Sequence, residues 1–196
     1  MELNEPALAY GKKHYTIEEY LEMENAATEK HEYYRGEVFA MSGAKSQHNI
    51  VCGNLYFYLR QKLMGKPCRP FNSDIRIHIE KNTLFTYPDL TIVCGELISL
   101  NDDDMNFLNP TVIIEVLSDS TRAYNMGAKF ELYKDIPTLM EYVLIEPEWI
   151  SVEAHLNQEG KWTQTRHTSI EESLTLQSVD VTISLKEIYE GTKAMS

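Results

Sequence analysis

The stretch that most restricts the fold of this chain is TVIIEVL, residues 111–117. Val, Ile and Leu fill both alternating sets of positions, so a strand here is apolar on both faces and belongs in the middle of a sheet. Ser118–Thr121 are helix-start residues, and residues 122–136 read as a helix with Phe130, Tyr133 and Ile136 on an inner face. Pro137 ends it. EYVLIEP, residues 141–147, reads as a second buried strand. A short helix between two buried strands is a crossover, which would lay Tyr142–Ile145 parallel to a strand of the sheet. The fold class expected is α/β or α+β, a mixed sheet flanked by helices.

The rest of the chain fits this plan. Thr16 and Glu19 have capping-box spacing ahead of a short helix. Arg35-Gly36 reads as a turn between short strands. Val51, Leu55, Tyr58, Leu59 and Leu63 recur at helical spacing over residues 47–63, with Ser46 as N-cap. Residues 73–80 alternate, with Ile75, Ile77 and Ile79 on one face and Asp74, Arg76, His78 and Glu80 on the other, the pattern of a half-buried strand. Residues 85–95 read as one further strand, and residues 99–109 as a polar, acidic connection. A hairpin around NQEGK, a strand near Val181–Ile183 and a short helix at LKEIYEG close the chain. With 196 residues, one domain is expected over residues 15–196, after a loose arm at 1–14.

Hydrophobic residues are 43% and charged residues 24% of the chain, which excludes a disordered polar segment. No apolar run is long enough to span a membrane, and the start lacks a signal-peptide core. Cys52, Cys68 and Cys94 have no CxxC spacing and read as reduced thiols of a cytoplasmic protein. The net charge of −12 disfavours a general basic face for nucleic acid and leaves two readings, a local basic patch or a ligand that is not nucleic acid.

Asp89 and Glu115 carry the chemistry. Both sit in apolar, strand-like runs, where an unpaired charge is costly. If the two strands pair as a long hairpin, the acids meet on one face. With the Val116 backbone carbonyl they would suit a magnesium or manganese ion. Lys129, on the following helix, would steady developing charge or orient an attacking hydroxide. Taken singly, each of these residues is more ordinarily an ion-pair partner or part of a solvated face; the combination is what points to a site.

These blocks resemble a known family. YPDLTIVCG at 87–95 and VIIEVLSDST at 112–121 are similar to the metal strands of the PD-(D/E)xK nuclease superfamily, the restriction-endonuclease-like fold. Together with KHEYYRGEV at 30–38, HNIVCGNL at 48–55 and KFELYKDIPTLMEYVLIEP at 129–147, they resemble the bacterial Uma-two group over about residues 15 to 190. The resemblance implies an αβββαβ core, Asp89 and Glu115 as metal ligands, and Glu32 as an additional acid. The superfamily's lysine two residues after the glutamate is replaced here by Leu117, and Lys129 takes its place. Asn125 stands where the group often has an aspartate.

His48 is read as a cap or surface residue, or through the resemblance as a proton carrier or phosphate contact. Glu32 is read as that additional acid or as a partner of Arg35 or Lys30. For Tyr133, packing is favoured over catalysis, and Asp74 reads as an exposed edge residue. The aromatics of YFYL, residues 56–59, suggest base stacking or, more simply, core packing. Arg60, Lys62, Lys66 and Arg69 form a basic cluster for phosphate, or a solvated helix end. Three functions follow: a metal-dependent DNA endonuclease, a nuclease-fold module that binds nucleic acid or protein without cutting, and an interaction module whose acids pair with Lys129. Homodimerisation is expected with the first.

Overall fold

The computed structural model describes residues 14–41 and 43–195. The expected N-terminal arm lies outside the described residues, except for His14. Thr16 opens α1 (Ile17–Ala26) through a reciprocal capping box with Glu19. β1 (His31–Tyr34) and β2 (Glu37–Ala40) form a hairpin whose turn residues, Arg35 and Gly36, both have positive φ, as a type I′ turn requires. There follow α2 (Ser46–Lys62), β3 (Cys68–Asn72), β4 (Arg76–Ile79), β5 (Leu84–Thr86) and β6 (Leu90–Cys94). β7 (Asn106–Phe107) lies in the acidic connection before β8 (Val112–Val116). The next helical stretch is α3 (Arg122–Tyr124), a π-helical turn Asn125–Lys129, and α4 (Phe130–Tyr133). β9 (Glu141–Ile145), β10 (Val152–Gln158), β11 (Lys161–His167), β12 (Ser173–Leu176), β13 (Val181–Ser184) and α5 (Leu185–Tyr189) complete the order.

The larger sheet runs β11-β10-β9-β8-β6-β3, with β8 and β9 parallel and the other pairs antiparallel. β8 is central, and the crossover expected from the sequence is present. A second sheet runs β2-β1-β5-β4-β7, and β12 and β13 pair separately. Val112, Ile114 and Val116 of β8 pack in one core with Leu55 and Leu59 of α2 and Ile188 of α5. Ile113 and Leu117 pack on the other face with Phe130, Tyr133 and Ile77. Glu115 shares that second face by alternation. Burying each aliphatic side chain of β8 contributes about 1.5–3 kcal/mol, enough together to offset the several kcal/mol that a buried carboxylate costs.

Several expectations need correction. The single strand expected over 85–95 is two strands in two sheets, β5 and β6, divided at Pro88. Proline offers no N–H to a ladder, and the break lets Asp89 stand at a bend between the layers. β4 is buried on both faces: Arg76 is 1% exposed and lies over the Tyr20 and Tyr87 rings, while His78 stacks on Phe85. β3, CRPFN, carries poor strand formers but lies at the sheet's edge, where proline is tolerated. Ser46 is the first residue of α2 rather than its cap, a position held by Lys45. Cys68 and Cys94 are not reduced thiols. They face each other across β3 and β6 with Cα atoms 3.9 Å apart and form a disulfide, leaving Cys52 free. No helix among the described residues is long and apolar enough to cross a membrane.

Candidate functional site

Pairing of β6 with β8 sets Leu90 opposite Ile114, so Asp89 falls across from Glu115. Cross-strand partners share a face. The Val116 N–H donates to Asp89 Oδ2 at 2.8 Å and ties that carboxylate to the end of β8.

His48 comes from the first turn of α2, and its Nε2 lies 3.2 Å from Asp89 Oδ2. Burial lowers its pKa, but the Asp89 hydrogen bond and charge, the Glu115 charge and a bond to the Val116 backbone outweigh burial, and the net shift is upward. Its Nδ1 lies 3.5 Å from the Cys52 sulfur.

Lys129 closes the π-helical turn and is buried. It donates to Glu32 Oε1 at 3.0 Å and lies 3.1 Å from Glu115 Oε1. Glu32, on β1, also accepts from the Thr86 hydroxyl. The Tyr133 hydroxyl donates to Glu115 Oε1 at 2.7 Å, so this residue does more than pack. Burial disfavours the Lys129 charge, yet Glu115 and Glu32 hold its pKa well above the usual lysine value. Burial raises the Glu115 pKa; Lys129 pulls it down and Asp89 pushes it up, and the net shift is upward.

The charges do not cancel. Asp89, Glu32 and Glu115 share one ammonium, with His48 as a partial second cation. All five residues line one cavity of about 260 Å³, with Val116 and Asn125. Among the described residues, no hydrogen bond engages Asp89 Oδ1 or Glu115 Oε2. Asn125 is 3% exposed and its Oδ1 has no partner. Free carboxylate oxygens, an amide oxygen and the Val116 carbonyl form a hard-oxygen set of the kind that magnesium or manganese accepts. The residues therefore fit a divalent ion. His48, Cys52 and Asp89 also bring ligand atoms within 4.8 Å of one another. However, that set relies on a soft thiolate, which magnesium and manganese do not favour, and burial pushes the Cys52 thiol pKa up, against the thiolate a metal needs. The oxygen set is the better fit.

The structure thus brings together Asp89, Glu115, Lys129, Glu32 and His48. The partners expected for Glu32 are replaced by Lys129, while Lys30 pairs with Asp74 at 2.7 Å. Thr86 and the π-helical turn were not anticipated; Gly127, which weakens a regular helix, was the available signal for the turn. Of the basic cluster, Arg60 is exposed with no ion pair or hydrogen bond among the described residues, and the other three are engaged. Lys62 meets Glu187 at 3.7 Å, Lys66 meets Asp180 at 3.2 Å, and Arg69 donates to the Gly95 carbonyl at 3.4 Å. Core packing does not account for YFYL as a whole, since Tyr56 and Phe57 are exposed.

The model of the Uma2 family, described as "Putative restriction endonuclease", matches residues 17–186. The uncharacterised protein slr1290 of Synechocystis sp. is 32% identical over 175 residues, covering 89% of this chain and 90% of that protein. A second uncharacterised Synechocystis protein, sll1609, is 35% identical over 152 residues, covering 76% and 85%. The crystal structure described as "a putative nuclease belonging to DUF820" from Anabaena variabilis matches with a TM-score of 0.71 at 16% identity, over 89% of this chain and 97% of that one. That likeness is one of fold, and it agrees with a mixed α/β, nuclease-like architecture.

Proposed function

The chain belongs to the Uma2 family, and from that premise we propose that it is a magnesium- or manganese-dependent endonuclease hydrolysing DNA phosphodiester bonds. The observation that carries the reading is the charge imbalance of the cavity, three carboxylates around one ammonium. Buried charge of one sign calls for a cation.

Asp89, Glu115 and the Val116 carbonyl would hold the ion. A divalent ion there supplies charge neutralisation at the phosphate and acidification of a water. Lys129 stays protonated. It spends two N–H donors on Glu32 and Glu115 and keeps one for a phosphoryl oxygen or the attacking water. Glu32 and Tyr133 fix the ammonium and the Glu115 carboxylate in place. His48, bridging Asp89 and the Val116 backbone, is placed to carry a proton at Nε2. We place the reaction in the cytoplasm and the enzyme in a homodimer.

The alternative is a nuclease-fold module that binds without cutting. The commitment of Lys129 to two carboxylates and the −12 charge favour it. Incubating plasmid and single-stranded DNA with magnesium or manganese, beside Asp89→Ala prepared identically, separates the two. Cleavage by wild type alone is the result expected. Equal cleavage by both proteins overturns the assignment, and cleavage by neither moves the reading to the binder.

A further inference from the structure

A groove of about 590 Å³ adjoins the site and shares Gly43, His48 and Asp89 with it. Asn49, Cys52, Gly53 and Tyr56 of α2 line it. Their spacing, i, i+3, i+4 and i+7, makes them one stripe of the helix. It is the outward stripe, because Val51, Leu55 and Leu59 occupy the core. At the middle of the stripe a Cβ on Gly53 would meet no atom within 4 Å. Toward its far end Tyr56 is 39% exposed. Asn72 and Ser73, beside the β3–β4 turn, also line the groove.

Three of the cations nearby are already engaged, and Arg60, one turn beyond Tyr56 on the same stripe, is exposed with no ion pair among the described residues: a single free cation, where a duplex grip takes several. Lys30 bonds Asp74 at 2.7 Å and the Ser73 carbonyl at 2.8 Å, Lys45 pairs with Asp119 at 2.8 Å, and Arg122 pairs with Glu146. Gripping a duplex depends on free Lys and Arg along the phosphates. Single-strand sites also follow phosphates, but aromatic stacking adds binding that no cation has to supply, and every base has a face to stack. Bases in a duplex already stack on one another, whereas an unpaired strand presents them.

We infer that the substrate of this site is a single DNA strand, with a base flanking the reacting phosphate stacked on Tyr56 in the α2 groove. This rests on the nuclease reading and narrows its substrate class. Two readouts separate the inference from that reading. The first is cleavage of matched single-stranded and duplex oligonucleotides with manganese. The second is fluorescence of a single strand carrying 2-aminopurine, titrated with the Asp89→Asn protein so that nothing is cut.

The strand should be cleaved at least about tenfold faster than the duplex. Tyr56→Ala should weaken 2-aminopurine binding about five- to a hundredfold, and Tyr56→Phe should restore it. Gly53→Leu should block binding without lowering the melting temperature, since its Cβ enters open space and leucine favours the helix. Equal cleavage of strand and duplex, or binding unchanged in Tyr56→Ala, overturns the inference and leaves the nuclease reading standing. Tyr56-dependent binding with no cleavage of either DNA overturns the nuclease reading and supports the groove.

Discussion

Two buried acidic clusters lie back to back across β1 and the segment after β5, and they resolve their charge differently. His31 and Glu32 are neighbours on β1, and Tyr87 and Asp89 flank Pro88. His31 and Tyr87 turn to Glu24 of α1, which accepts the Tyr87 hydroxyl at 2.7 Å, the His31 N–H at 2.9 Å and an imidazole contact at 2.9 Å. One carboxylate there is met by donors from three directions. Glu32 and Asp89 turn instead to the cavity, where carboxylates outnumber cations and oxygens are left unengaged. A buried acid that its own fold satisfies is structural. Buried acids in excess of their partners, facing open volume, are held for something outside the chain.

Breaking the second cluster should cost activity rather than stability. Asp89→Asn and Glu115→Gln are each expected to reduce metal-dependent cleavage by about a hundredfold or more. Each removes one of the mutually repelling charges, so metal-free urea midpoints should stay level or rise. A midpoint that falls along with activity would make Asp89 a second Glu24.

The divalent ion itself should separate the clusters next. At a hundred times its dissociation constant, magnesium or manganese should stabilise the wild type by about 2.7 kcal/mol. Chelator should reverse this, and Asp89→Asn should not show it. A melting temperature indifferent to both ions and to chelator would favour an acid cluster neutralised by Lys129 and His48 alone.

Glu24→Ala is the mirror experiment. It leaves the Tyr87 hydroxyl and the His31 N–H without their acceptor, at a cost of about 2 kcal/mol, with the metal response intact. Loss of metal-induced stabilisation at unchanged urea stability would instead join the two clusters into one site.

How much of this could be read in the sequence depended on whether the cause was local. Asp89 and Glu115 stood out because each interrupts an apolar run, and Lys129 because it follows on the crossover helix. Their proximity was readable once the two strands were taken as a pair. Pro88 was present, yet nothing local says that the chain changes sheets there. Arg76 and His78 alternate with isoleucines and so read as a solvent face. They are buried because α1, the Tyr87 ring and Phe85 cover that face, a tertiary effect. β3 forms from residues of low strand propensity because β6 offers an edge and Cys94 stands opposite Cys68. The exposure of Tyr56 follows from which helix face the sheet takes, which YFYL alone leaves open.

His78 offers a third way of burying a titratable group: keeping it neutral. Its ring lies 3.9 Å, centroid to centroid, from that of Phe85, and its Nδ1 is 3.2 Å from the Leu84 carbonyl, placed to donate to it. Burial lowers its pKa below the ordinary 6.5, and the Leu84 bond and the Glu80 charge restore only part of the loss. The unfolded chain therefore takes up this proton first as pH falls. The resulting stability is present above about pH 6.5 and is lost between there and the lower folded-state pKa. The slope cannot exceed about 1.4 kcal/mol per pH unit for a single group. His78→Gln keeps a donor and cannot titrate, so urea stability measured from neutral to mildly acidic pH should fall less steeply in the variant than in the wild type. The titration leaves the cavity acids out of the difference, because both proteins carry them. Parallel curves would mean that His78 gains its proton in the folded state as readily as in the unfolded one, and that the stacked ring does not exclude charge.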